Sequence, residues 1–207
     1  MNVKQMMLVY GGIAVGITTL AHAAAPEPIP PTTLDFRNTA TGEPLDLNQS
    51  LPTGRDTAGM KEFFKTGHDP YLEDPSCLRL GQSLFLTGCS GCHGEVGQGD
   101  IGPGLNDDYW TYPKNETDAG IFSTIWGGAR AQMGPHYTQF TLDQMLQIIA
   151  WVRHLYKDPV SKAYWLSPEQ KKNYKPYTKA NGKMIAALPA STPGRCKAAA
   201  LQPQNGQ

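Results

Sequence analysis

The chain has 207 residues, 18 basic and 18 acidic side chains, a formal net charge of zero and 40% hydrophobic residues. That length supports one domain with a substantial core, and the charge balance gives no reason to expect nucleic-acid binding. The sum hides an asymmetry: residues 24–118 carry 15 acidic and 6 basic side chains, net −9, whereas residues 119–207 carry 3 acidic and 11 basic, net +8. Either the molecule is strongly dipolar or the two halves interleave in space and the separation cancels.

Residues 1–23 have the layout of an export signal, with Lys4 as a charged start, an apolar run over residues 6–20 and Ala21-His22-Ala23 as a cleavage site. A run of 15 residues holding three glycines is short for a membrane span. The expectation is cleavage before Ala24, a periplasmic protein and no stable membrane insertion, with an uncleaved anchor as the alternative. Residues 24–73 form an N-terminal extension that opens with Pro26-Glu27-Pro28-Ile29-Pro30-Pro31, poor in backbone donors and therefore extended. Beyond Thr57, the spacing of Met60, Phe63 and Phe64 predicts one face of a short helix that ends near Gly67 and packs on the domain that follows.

Residues 74–158 hold the strongest signals. Asp74-Pro75 caps a helix carrying Leu78, Gly81 and Phe85 on one side and stopping at Gly88. Directly after it stands Cys89-Ser90-Gly91-Cys92-His93. Two cysteines two residues apart, followed at once by histidine, have the spacing for attaching one haem c through two thioethers and delivering the imidazole to its iron. A chance pattern and half of a zinc site are the alternatives, and no second Cys/His pair stands at zinc spacing. Thr117-Asp118 then caps a third helix with Ile121, Phe122, Ile125 and Trp126, stopped by Gly127-Gly128. Thr141-Leu142-Asp143-Gln144 is a capping box ahead of Met145, Ile148, Ile149, Val152, Leu155 and Tyr156, with Asp158-Pro159 ending the run.

The sixth iron ligand is sought among seven methionines. Met1, Met6 and Met7 leave with the signal, Met60 precedes the haem motif, Met145 sits on an apolar stripe and Met184 lies beyond the core. Met133, in a glycine-bounded loop ahead of Gly134-Pro135, is placed to turn its thioether toward the distal face; His136 or an open site are the alternatives. His93/Met133 ligation closes both axial positions, raises the reduction potential and favours electron transfer over substrate chemistry.

A helix running straight into Cys-x-x-Cys-His resembles the first helix of class I cytochromes c, where a small residue and an aromatic cross the last helix; Gly81 and Phe85 match those positions. Gly102-Pro103-Gly104-Leu105 resembles the Gly-Pro-x-Leu segment of the same class, which implies that the Pro103 carbonyl accepts a hydrogen bond from the proximal imidazole and fixes its orientation. The likeness then narrows. Ile101-Gly102-Pro103-Gly104-Leu105-Asn106-Asp107, Tyr109-Trp110-Thr111-Tyr112-Pro113, Thr53-Gly54-Arg55-Asp56-Thr57, Met133-Gly134-Pro135-His136 and Ile149-Ala150-Trp151-Val152-Arg153-His154-Leu155-Tyr156 resemble the cytochrome cL family, over roughly residues 34–175. The resemblance implies an all-α class I cytochrome c fold with an N-terminal extension and a disulfide-tethered C-terminal tail. It implies a non-enzymatic carrier that takes single electrons from PQQ-dependent methanol dehydrogenase and passes them to a smaller class I cytochrome c. The near-neutral charge and lysine-rich tail depart from the family pattern and leave the calcium or lanthanide type of the dehydrogenase open. A generic periplasmic shuttle for another dehydrogenase or an oxidase is the first alternative; a haem sensor or peroxidase-like enzyme, which needs an exchangeable distal site, is the second.

Cys77 and Cys196 have only each other as intramolecular partners once the haem takes its pair, with two free thiols as the alternative; the resemblance implies the tethering disulfide. It also implies calcium near the haem propionates, for which Asn106, Asp107, Asp108 and Asn115 are the candidate oxygen donors, and Trp110 is a candidate indole donor to a propionate. In the C-terminal extension, residues 159–207, Ser167-Pro168-Glu169-Gln170 caps a further short helix. Lys171, Lys172, Lys175, Lys179 and Lys183 come after it without an acid between them, either a solvated face or a docking patch for an acidic partner.

Overall fold

A computed structural model describes residues 25–196. The export signal read at residues 1–23 lies outside the described residues. Seven α-helices are found among those residues: α1 (Ala58–Thr66), α2 (Pro75–Gly88), α3 (Ser90–His93), α4 (Asp118–Gly127), α5 (Leu142–His154), α6 (Pro168–Asn173) and α7 (Lys179–Ala186). Short 3-10 turns stand at Leu47–Gln49, Pro113–Glu116 and Val160–Lys162, and the only β pairing among the described residues is an isolated bridge between Arg37 and Pro44. No helix among the described residues is long and apolar enough to cross a membrane.

The helices begin where side chains can take up their orphan amides. Thr57 accepts from the Met60 amide, Asp74 from those of Ser76 and Cys77, and Thr117 from that of Gly120, each opening a helix the sequence predicts. Thr141 and Gln144 form a reciprocal capping box on α5, as do Ser167 and Gln170 on α6. α1 stops at Gly67, whose φ of 75° lies in the left-handed region.

The core is the crossing of α2 and α5. Gly81 sits at that crossing, where a β-carbon would overlap the Gln147 carbonyl and lie 3.1 Å from Trp151 Cβ, so the two backbones approach as closely as only glycine permits. Phe85, Met145, Leu146, Ile149 and Leu155 fill the surrounding space and are fully buried. The extension packs on this core through an aromatic cluster: Phe36, Phe63 and Phe64 surround Phe122 of α4 with ring centroids 5.0 to 6.4 Å apart. Each such pair adds about 0.5–1.5 kcal/mol beyond its area burial. Polar ties accompany it, since Thr57 and Tyr71 both donate to Asp143 of α5 at 2.6 Å. The tail returns to α2, where the Cys77–Cys196 disulfide fastens it.

Candidate functional site

α2 leads into the cysteine motif without a loop. Cys89 is both the C-cap of α2 and the N-cap of α3, and its carbonyl accepts from the amides of Cys92 and His93 at 3.2 and 3.0 Å. One helical turn therefore separates two free thiols, Cys89 half-buried and Cys92 exposed. Burial pushes the Cys89 thiol up to about 12, with neighbouring Cys92 adding to the rise. Its surroundings favour an uncharged sulfur, which is what a thioether is.

His93 is buried, at 9% exposure. Its Nδ1 lies 2.8 Å from the Pro103 carbonyl; as a donor to that oxygen it leaves the Nε2 lone pair for a metal. The loop that carries Pro103 is tied to the motif itself: Gly99 donates to the His93 carbonyl at 2.8 Å, Gly102 to that of Cys92 at 2.9 Å, and Leu105 to that of Gly97 at 2.7 Å. A β-carbon on Gly102 would lie 2.8 Å from His93 Cε1, so a side chain there would push the ring out of position.

Met133 is half-buried in the loop between α4 and α5. Its carbonyl accepts from Ala129 at 2.9 Å, while His136 donates to the Ile125 carbonyl at 3.1 Å, so the loop is fastened to the end of α4 on both sides of the methionine. Met60 and Met145 are fully enclosed in the apolar core, and Met184 is 67% exposed on α7. The His136 ring packs on Phe140 and its Nδ1 is 2.8 Å from Gln139 Oε1. Adjacent free thiols, an imidazole with one nitrogen committed to a carbonyl and a thioether in a fastened loop fit a covalently attached haem. Two surface clefts, of about 910 and 330 Å³, are lined by none of these residues.

Beside the haem loops lies a buried charge cluster that sequence reasoning missed. The Arg153 guanidinium is 5.4 Å from the ring centre of Trp110 and 4.1 Å from that of Trp165. Its Nε donates to Asp118 at 2.8 Å and its Nη2 to the Glu116 carbonyl at 2.9 Å. Asp118 also accepts from the Asp69 amide at 2.9 Å. Burial drives the Asp69 carboxyl well above the usual carboxylate range, and the charge of Asp118 adds to the effect. The available signal was a charged residue inside the apolar stripe of α5, which demands a buried partner.

Each of the four candidate calcium donors makes a hydrogen bond or ion pair elsewhere in the fold. Asn115 Oδ1 accepts from Thr124 at 2.8 Å, Asp107 Oδ1 from the Tyr109 amide at 3.1 Å, and Asp108 pairs with Lys162. The Asn106 amide donates to Val96, and its Oδ1 is buried without a partner. Among the described residues no three His, Cys, Asp or Glu side chains converge as metal ligands. The four residues give calcium no support.

An all-helical core whose first long helix runs into Cys-x-x-Cys-His defines a class I c-type cytochrome. A family model described as "Cytochrome c" matches residues 78–156. Cytochrome c-L of Methylorubrum extorquens is 51% identical over 186 residues, 90% of this chain and 92% of that one. The crystal structure of cytochrome cL from Hyphomicrobium denitrificans superposes with a TM-score of 0.67 at 55% identity, covering 74% of this chain and 94% of that one. Cytochrome cL from the marine methylotroph Methylophaga aminisulfidivorans gives 0.67 at 49% identity, covering 70% and 97%. The chain belongs to the cytochrome c-L family. It is a methylotroph's electron carrier and not an enzyme, and the cytochrome c family to which it belongs binds haem c covalently.

Proposed function

We propose that the chain is a periplasmic single-haem cytochrome that accepts electrons one at a time from PQQ-dependent methanol dehydrogenase and hands them to a smaller class I cytochrome c. In this reading residues 1–23 are the export signal, 24–73 an extension, 74–158 the haem domain and 159–207 a tail. The observation that carries it is the His93 imidazole held through Nδ1 by the Pro103 carbonyl, one residue after two free cysteines at haem-attachment spacing. Cys89 and Cys92 would hold the haem through thioethers, His93 and Met133 would ligate its iron, Pro103 orients the His93 ring, and Trp110 would lie beside the group. A His/Met-ligated haem c exchanges one electron without making or breaking bonds.

The chain's own part is to hold the ligands still and to keep an edge accessible. Cys92 is exposed, and Ile101 and Tyr109 on the Pro103 loop are 69% and 68% exposed. Gly134 and Pro135, next to Met133, are exposed as well, and a modest interface over these groups would release between turnovers. Mixing the purified haem protein with calcium- and lanthanide-containing methanol dehydrogenases, methanol present, and following haem reduction tests the reading. Fast, saturable reduction by either enzyme is expected. Slow, non-saturable reduction by both, with rapid exchange with another quinoprotein or an oxidase, makes the chain a generic shuttle.

A further inference from the structure

We infer that the tail is a docking strip for an acidic protein partner. Residues 159–196 hold seven basic side chains and one acid, Glu169. Lys162 and Arg195 pair with Asp108 and Glu62 of the body. Lys171, Lys172, Lys175, Lys179 and Lys183 make no ion pair among the described residues; Lys171 is half-buried with its ammonium 5.9 Å from the Tyr164 ring centre, and the others are exposed. Tyr164 and Met184, 69% and 67% exposed, provide large apolar groups on the same tail.

A merely solvated lysine tail has no need to be held, and this one is. The Cys77–Cys196 bond fixes its far end, Gln82 of α2 donates to the Gly182 carbonyl at 3.3 Å, and the Tyr174 hydroxyl donates to the Tyr156 carbonyl at 2.7 Å. Tyr177 packs against Trp151 and His154 with ring centroids 6.1 and 6.0 Å apart. Folding has thus already met the cost of ordering this segment, so a partner meets lysines on a fixed backbone. Their mutual repulsion is relieved by an acidic surface, while the acidic extension and haem loops repel the same partner and set its orientation. α6, Pro168–Asn173, carries no large apolar side chain to bury in a lipid surface, which favours a protein. Gln82, which holds Gly182, lies seven residues before Cys89, about 10 Å at 1.5 Å per residue, so the strip grips the flank of α2 beside the cysteine motif.

The inference uses the electron-carrier reading only to choose its probe, a small acidic class I cytochrome c, with a basic one as control. In the full-length haem protein, K171Q, K172Q, K175Q, K179Q and K183Q together should weaken binding of the acidic cytochrome and slow electron exchange with it by about tenfold at low salt. The salt dependence should flatten, while reduction potential and visible spectrum stay unchanged. Lysine-dependent binding without electron exchange supports the strip and counts against the carrier reading. Equal binding of the acidic cytochrome by the wild type and the variant overturns the strip. So does a lysine effect confined to co-sedimentation with phosphatidylglycerol-containing vesicles.

Discussion

The Asp69 carboxyl is enclosed beside Asp118 and Arg153, and one of its oxygens has no partner. Its folded-state pKa is raised above the unfolded value near 4, so its contribution to stability is fully present below that value and is lost as pH rises through the folded one. D69N should therefore gain stability relative to wild type at pH 7.5 and gain less near pH 4.5, measured by urea unfolding. An equal loss at both pH values would mean that Asp69 is ionised and paired with Arg153. D118N should instead cost about 3–5 kcal/mol, because it leaves the Arg153 charge buried without its carboxylate. Met133 gives a spectroscopic counterpart: M133A should lose the methionine-to-iron charge-transfer band of the oxidised protein and lower its reduction potential. A band that survives the substitution would remove Met133 as ligand.

At the scale of elements, the tail depends on its anchor. The disulfide spans a separation of 119 residues, for which the chain-entropy model gives about 4–5 kcal/mol, and C77A/C196A should lower the unfolding free energy by up to that amount and the urea midpoint with it. An unchanged midpoint would show that packing of α7 on α2 suffices. The helices with local signals were legible: caps at Asp74, Thr117, Thr141 and Ser167 stand where the sequence places them, because capping is a matter of three or four neighbouring residues. α7 was not legible, although Thr178 and Asn181 form its capping box, since Asn is an uncommon N3 partner and the lysines blur the apolar spacing. The proposed haem ligands rest on local signals of the same kind, the Cys-x-x-Cys-His spacing and, by elimination among the methionines, Met133. Arg153, Asp69 and the Glu73–His154 pair were not legible, because each is defined by a partner 35 to 81 positions away. Phe36 likewise sits in a stretch without periodicity, and only its contact with Phe122 reveals that it belongs to the core.

Extension, core and tail are cross-tied at the scale of the whole molecule by aromatic packing, by Thr57 and Tyr71 on Asp143, and by the disulfide. Unfolding should then be a single cooperative event, with visible haem absorbance and far-ultraviolet circular dichroism giving coincident thermal transitions. Separate transitions would make the extension or tail an independent unit. The disulfide has a consequence for how such a molecule is made. With haem attached as proposed, Cys77 and Cys196 must be oxidised while Cys89 and Cys92 stay reduced until they react, although Cys89 is only twelve positions from Cys77 and Cys196 is 119 away. Chain proximity alone favours the wrong pairings, so the newly made polypeptide needs a reductant that keeps the nearby thiols open, or an order of events in which haem is attached first. The bond that fastens the tail thereby turns maturation into a sorting problem between two oxidation states on one chain.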